Sequence, residues 1–343
     1  MMKPAASPSR RLIARWQFSL VGIVLGLLML LVCLILSITQ GAADIPVGKI
    51  LAALFAFDGS REHLIIATVR LPRSLIAILV GAALAVAGAI MQGLTRNPLA
   101  DPGILALESG AAVAVVLGIS FFNAPSQGSF TGLAFIGAGV TAVVVYFLAS
   151  LGRGGLTPLN LTIAGAAVSA LLSSVTTAIL ILNQRTLEEI RFWLAGSIAG
   201  ADFALCLQVL PFILVGLVLA FVLGRQITIL NLGEDVAKGL GQQTTWVKVI
   251  AAVSVMLLAG SSVAVAGPIG FVGLVVPHMV RFFVGVDYRW ILPYAAILGA
   301  ILLLLADMSA RLLIAPPELP VGVMTAIIGG LFFIYLARSQ VKK

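Results

Sequence analysis

The sequence predicts an all-α, polytopic membrane protein with about ten transmembrane helices. Three observations carry this reading. The 343 residues are 61% hydrophobic and 10% charged, where a soluble domain carries roughly 25% charged residues. Apolar runs recur at the length of a bilayer crossing, about 20 residues rising about 1.5 Å each. The alternating segments of about ten residues that mark a transmembrane barrel do not occur.

Taken in order, residues 1–15 are polar and basic, with Lys3, Arg10, Arg11 and Arg15. Residues 18–38 form a near-continuous apolar run. It is longer than the roughly 7–15 residues of a signal-peptide core, so an uncleaved first span is expected despite the small Gly41-Ala42-Ala43 step. An amphipathic connection follows over 39–69. The stretch Arg70 to Gly103 then organises the chain. Two arginines, Arg70 and Arg73, open it. A Gly- and Ala-rich second span follows over 74–93, small enough in side chain for neighbouring helices to approach closely. A turn, Arg96-Asn97-Pro98-Leu99-Ala100-Asp101-Pro102, closes it.

Eight further spans are expected near 104–121, 132–151, 161–182, 207–223, 247–266, 271–284, 290–305 and 321–336. Residues 1–343 therefore read as one transmembrane domain, with 225–248 as its longest internal loop on the side of the termini. An even number of spans puts both termini on one side. That side collects 14 Lys and Arg (3, 10, 11, 15, 96, 153, 225, 238, 248, 281, 289, 338, 342, 343) against 7 on the other (49, 61, 70, 73, 185, 191, 311). The excess places both termini in the cytoplasm. The 183–202 connection, with Phe192-Trp193-Leu194, is expected to dip into the interface.

Several classes are excluded. No G-x-x-x-x-G-K-[ST] nucleotide motif occurs. The two histidines, His63 and His278, form no metal cluster with Cys33 and Cys206, which read as small buried residues. Ser261, Ser262 and His278 do not form the pattern of an intramembrane protease. Charge within the spans is sparse. Glu108 is expected near the interface, and Asp307 can meet Arg311 one helical turn on. Without a carboxylate at the membrane centre, an ion-coupled carrier is disfavoured, and energy must enter elsewhere. The segment Gly233-Glu234-Asp235-Val236-Ala237-Lys238 reads as a short helix with an acidic start, bounded by Gly233, Gly239 and Gly241. Such a helix suits either an interfacial connector or a partner's groove.

Four stretches then carry a resemblance: RLPRSLIAILVGAALAVAGAIMQGLTRNPLADPGILALESGA, GEDVAKGLG, AGPIGFVGLVVPHMVR and LADMSARLLIAPPELPVGVMTAIIGGLFFIYL. In order and spacing they resemble the FecCD-type permeases, the membrane subunits of ATP-binding-cassette importers for iron–siderophores, haem and cobalamin. The resemblance implies a second permease subunit, two ATPase subunits that hold the ATP and Mg²⁺, and an extracytoplasmic binding protein. This chain itself would hold no cofactor and hydrolyse nothing. It would reside in the bacterial plasma membrane and pass an iron(III)–siderophore complex, with cobalamin or haem as the next cargo.

By position, the resemblance implies docking of the binding protein on Arg70, Arg73 and Arg311. It implies a cytoplasmic gate at Asn97 and Leu99, and ATPase contact through Gly233, Glu234, Ala237 and Gly241. It also implies an inverted repeat relating spans two to five and seven to ten. Intrachain pairing is the alternative for the arginines. Glu108 departs from the family pattern, which favours small or polar residues there. Thr157-Pro158-Leu159-Asn160 keeps only part of a second constriction, and no gate residue is assigned to it.

Overall fold

The structure, a computed structural model, describes residues 8–41, 45–122, 127–152, 157–313 and 318–341. Lys3, Ala42, Ala43, Arg153, Lys342 and Lys343, used above, lie outside the described residues. Every regular element among the described residues is helical. In chain order these are α1 (Pro8–Thr39), α2 (Val47–Phe55), α3 (Arg61–Ile65), α4 (Leu71–Thr95), α5 (Leu107–Phe122), α6 (Gln127–Ser150) and α7 (Pro158–Leu182). Then come α8 (Gln184–Leu194), α9 (Phe203–Asn231), α10 (Glu234–Gly239), α11 (Thr244–Ala266), α12 (Val272–Val284), α13 (Tyr288–Leu313) and α14 (Val321–Val341).

Among the described residues, seven helices are long and apolar enough to cross a membrane (α1, α4, α6, α7, α9, α11, α13), and α5, α12 and α14 carry shorter apolar stretches; seven and three give the ten expected spans. The first connection is more ordered than its sequence suggests. Ser60 caps α3 by accepting from the His63 amide, and a π-turn over Ile66–Arg70 joins α3 to α4 without a break. A small core of Ile38, Ile45, Ile50, Ala53 and Ile66 seats this region on α1. In the second connection, Asn183 caps α8 and Thr186 and Ile190 are buried. Phe192 on the same helix stays exposed, so α8 lies as a short amphipathic helix too short to cross.

The helix α4 is the centre of the bundle, with α13, α11, α9 and α12 packed around it. Glycines set how closely they approach. A Cβ at Gly81 would collide with the Gly299 carbonyl of α13, and one at Gly88 with the Gly273 backbone of α12. In contrast, α1 and α7 leave most of their surface uncovered. On a membrane helix such a face meets lipid or another subunit.

Two breaks occupy equivalent places in the two halves of the chain. Before α5, a 3₁₀ turn over Pro102–Leu105 ends on Ala106 at φ 54°. Before α12, residues 267–270 are non-helical and Phe271 stands at φ 70°. Both residues occupy the left-handed region that costs a non-glycine residue about 1–2 kcal/mol. The breaks touch, since a Cβ at Gly273 would contact Pro102. The third and eighth spans thus both start from a left-handed residue after a non-α break.

Candidate functional site

The turn after α4 folds back toward the middle of the bundle and starts α5 at depth. A cavity of about 10 Å³ beside the break is lined by Leu84, Asp101, Glu108, Gly270 and Gly273. That is room for about one water. Leu84 lies midway along α4. Glu108 therefore does not sit near the interface, as expected from its place in the sequence. The returning turn carries it to mid-depth, beside Asp101, and the sequence argument that no carboxylate reaches the membrane centre is corrected with it. One residue on, Ser109 Oγ lies 2.6 Å from Ser169 Oγ and 3.4 Å from Ser173 Oγ of α7.

At the end of the bundle where α4 begins, the three arginines turn inward. Arg73 donates from Nη2 and Nε to Asp307 Oδ1 at 2.8 and 3.0 Å, and from Nη1 to Glu318 Oε2 at 2.5 Å. Arg311 Nε lies 3.2 Å from Asp307 Oδ2, close but poorly aligned for a hydrogen bond. The Arg311 fork donates to the Ser37 carbonyl and hydroxyl and to the Gln40 carbonyl. Arg70 donates to the carbonyls of Ile38 and Thr39 at 2.7 and 2.9 Å. These carbonyls end α1, where the last turn leaves acceptors unsatisfied. Asp307 is fully buried, and Arg70 and Arg73 are 6% and 8% exposed. Expectation and structure differ here: the guanidinium groups brace α1, α4 and α13 and are not presented as open forks. Arg73 and Arg311 are paired with Asp307 within the chain, and Arg70 caps α1.

At the opposite end, Asn97 Oδ1 accepts from the Leu99 amide at 2.9 Å, closing the turn. Asn97 is exposed, and the Leu99 side chain projects with 62% exposure. Beside the turn runs a polar network that the sequence reading missed. Arg281 Nη1 donates to Gln92 Oε1 at 2.5 Å, and Nη2 to the Tyr288 hydroxyl at 3.0 Å. The Tyr288 amide donates to Thr228 Oγ1 at 2.9 Å. These bonds tie α4, α12, α13 and α9 together. In the sequence, a lone Gln in an apolar run gave no sign of its distant partner.

The 225–248 loop does carry a short helix. Gly233 at φ 130° and Gly241 at φ 78° occupy conformations that favour glycine. Glu234 Oε2 accepts from Lys248 Nζ at 2.7 Å, and Oε1 lies 3.2 Å from Lys238 Nζ. The Lys248 hydrogen bond, aided by Lys238, holds the Glu234 carboxyl below its ordinary value. Ala237 is completely buried against the bundle. The exposed apolar residues of this region are Leu232, Val236, Leu240 and Trp246.

The FecCD transport family profile matches residues 28–339. The chain belongs to the FecCD transport family. The iron(3+)-hydroxamate import system permease protein FhuB of Bacillus subtilis (strain 168) is 46% identical over 328 residues, covering 95% of this chain and 85% of that protein. The Fe(3+)-citrate import system permease protein YfmD of the same organism is 46% identical, covering 92% and 94%. A solved structure described as a metal-chelate type ABC transporter in an inward-facing conformation matches with TM-score 0.81 and 29% identity, covering 92% of this chain and 98% of that one. This FecCD chain is thus a multi-pass ABC transporter permease, a class of subunit that works with other subunits.

Proposed function

We propose that the chain is the permease subunit of an importer that carries an iron(III)–siderophore complex into the cytoplasm. The observation that carries this is the near full-length match, at 46% identity, to permeases named for iron(3+)-hydroxamate and Fe(3+)-citrate. The chain pairs with a second permease subunit, identical or related, through helices such as α7 that leave their faces uncovered. Both termini lie in the cytoplasm of a bacterial cell, and the membrane is the plasma membrane. The two adjacent breaks before α5 and α12 suit the pathway wall, because non-helical backbone at membrane depth is tolerated where protein or a water-lined cavity covers it.

Two ATPase subunits bind ATP with Mg²⁺ and dock on the α10 surface. Leu232, Val236, Leu240 and Trp246 supply the apolar contact, and the doubly paired Glu234 holds α10 to α11. Val236→Asp places a charge in that contact without touching the core. Co-purification of the ATPase is expected to fall about tenfold, or ~1.4 kcal/mol, with permease yield unchanged. Unaltered co-purification would move the ATPase off this helix.

The binding protein docks on the external end. There Glu318, whose side chain is 40% exposed, is accessible, and Arg70, Arg73 and Arg311 hold the helix ends beneath it in place. Asn97 and Leu99 narrow the exit at the opposite end.

Uptake by cells with and without the gene tests the cargo. In iron-poor medium, loss of the gene is expected to abolish uptake of one labelled ferric complex among hydroxamate, catecholate and citrate, and to spare haem and cobalamin. Loss of haem or cobalamin uptake alone would keep the subunit assignment and overturn the cargo.

A further inference from the structure

An open apolar groove between α6 and α11 lies beside a basic pocket next to α10. The groove, about 160 Å³, is lined almost wholly by apolar side chains, among them Ala142, Val143, Val249, Val253 and Met256. A second cavity of about 60 Å³ lies next to it, the two sharing Leu105, Tyr146 and Ala252 in their walls. That second cavity holds Arg96, Lys248, Glu234, Thr95 and Thr157. The two adjacent cavities together form a recess that is apolar along α6 and α11 and polar and charged at the end beside α10.

The two parts match the two parts of a phospholipid. From Lys248 to Met256 the groove follows α11 for about 12 Å at 1.5 Å per residue, the reach of the upper part of an acyl chain. Val143 is 63% exposed and flanked by exposed Val140 and Phe147, so the groove opens on an uncovered apolar face of the bundle, one that acyl chains can reach. Tyr146 stands where the apolar and charged parts meet, the level favoured by amphipathic aromatic rings.

Charge selects the headgroup. Arg96 and Lys248 face one carboxylate, Glu234, which Lys238 also contacts at 3.2 Å. Arg96 has no hydrogen bond or ion pair among the described residues. Its backbone, at φ 51°, ends α4 and directs the chain away from the helix. A positive surplus therefore remains at the end of an apolar groove, and basic pockets between transmembrane helices bind anionic headgroups.

We infer that this recess binds one anionic phospholipid of the adjoining leaflet, with its phosphate at Arg96 and Lys248 and an acyl chain along α6 and α11. The lipid would wedge between α4, α11 and the loop that bears α10, next to the surface through which energy enters. Its binding chemistry does not depend on the cargo or on the identity of the ATPase.

The test uses the full chain, purified in mild detergent, delipidated and titrated with phosphatidylglycerol or phosphatidylcholine. Native mass spectrometry reads retained lipid, and a thermal melt reads stabilisation. Wild type is expected to retain one phosphatidylglycerol about fivefold more strongly than phosphatidylcholine, the worth of one basic contact to an anionic lipid. Arg96→Asn keeps a residue that tolerates the left-handed conformation and should erase that preference. Val143→Trp should fill the groove and reduce retention of both lipids. Each variant's melt in detergent alone serves as the folding control. Equal retention of the two lipids by wild type, or full preference in Arg96→Asn, would overturn the inference. So would stabilisation by millimolar inorganic phosphate equal to that by phosphatidylglycerol, since the acyl groove would then contribute nothing.

Discussion

Asp307→Asn is expected to destabilise the protein by about 3–5 kcal/mol, the cost of removing one partner from a buried ion cluster. The single carboxylate stands between two guanidinium groups, Arg73 at 2.8 Å and Arg311 at 3.2 Å, and is fully buried. Asparagine has nearly the same shape and can still accept a hydrogen bond, so the change removes charge and little else. Two buried cations would then face each other, with only Glu318 and the α1 carbonyls to offset them. The ends of α4, α13 and α1 that meet at Asp307 should loosen together. The melting temperature in detergent should drop sharply, and the yield of monodisperse protein with it. Replacing Arg73 by Met as well removes one of the stranded cations. The double variant Asp307→Asn/Arg73→Met should therefore melt above Asp307→Asn alone, a coupling that distant independent sites do not show. A wild-type melt for Asp307→Asn would mean that the cluster is wet and contributes little.

The cluster also marks how far the sequence could be read. Ten apolar runs in order were legible, because a bilayer crossing needs length and hydrophobicity, and both are local properties. The Asp307–Arg311 pair was legible too, since four residues on one helix bring two side chains together. Arg73 was not, because its partner lies 234 residues away and no local pattern encodes that contact. The external arginines were expected to wait for a partner protein, yet the carbonyls at the end of α1 and Asp307 already hold them. Glu108 shows the same limit. Counting residues from the start of an apolar run puts it one turn deep. The run itself begins at mid-depth, because the turn from Arg96 to Pro102 doubles back, and turn direction is a tertiary property. In the 225–248 loop, Gly233 and Glu234 were legible from backbone and capping chemistry. Which side of a six-residue helix faces the bundle was not, and Ala237 proved to be the buried one.

Gly88→Ala is expected to abolish transport, although alanine in a helix interior is normally favoured over glycine by about 1 kcal/mol. The sign reverses because of what the methyl group meets. At Gly88 it would fall inside contact distance of the Gly273 carbonyl oxygen, Cα and carbonyl carbon. Backbone cannot rotate aside as a flexible side chain can, so α4 and α12 must separate, by about 1 Å or more to restore ordinary contacts of about 3.5 Å. Overpacking of this kind costs about 1–3 kcal/mol, occasionally more. The position makes the shift matter for transport as well as for stability. Gly273 lies in the first turn of α12, directly after the break at Phe271, and Gln92, one turn beyond Gly88, donates to the Gly273 and Leu274 carbonyls at 3.4 and 3.3 Å. Moving α12 outward would stretch those bonds and, through Gln92, the bond from Arg281. Gly132→Ala is the control, since a Cβ there meets nothing within 4 Å. It should leave both uptake and melting temperature at or slightly above the wild-type values. If Gly88→Ala transports as well as Gly132→Ala, then α12 moves freely against α4 during the cycle, and the close contact belongs to only one of its states.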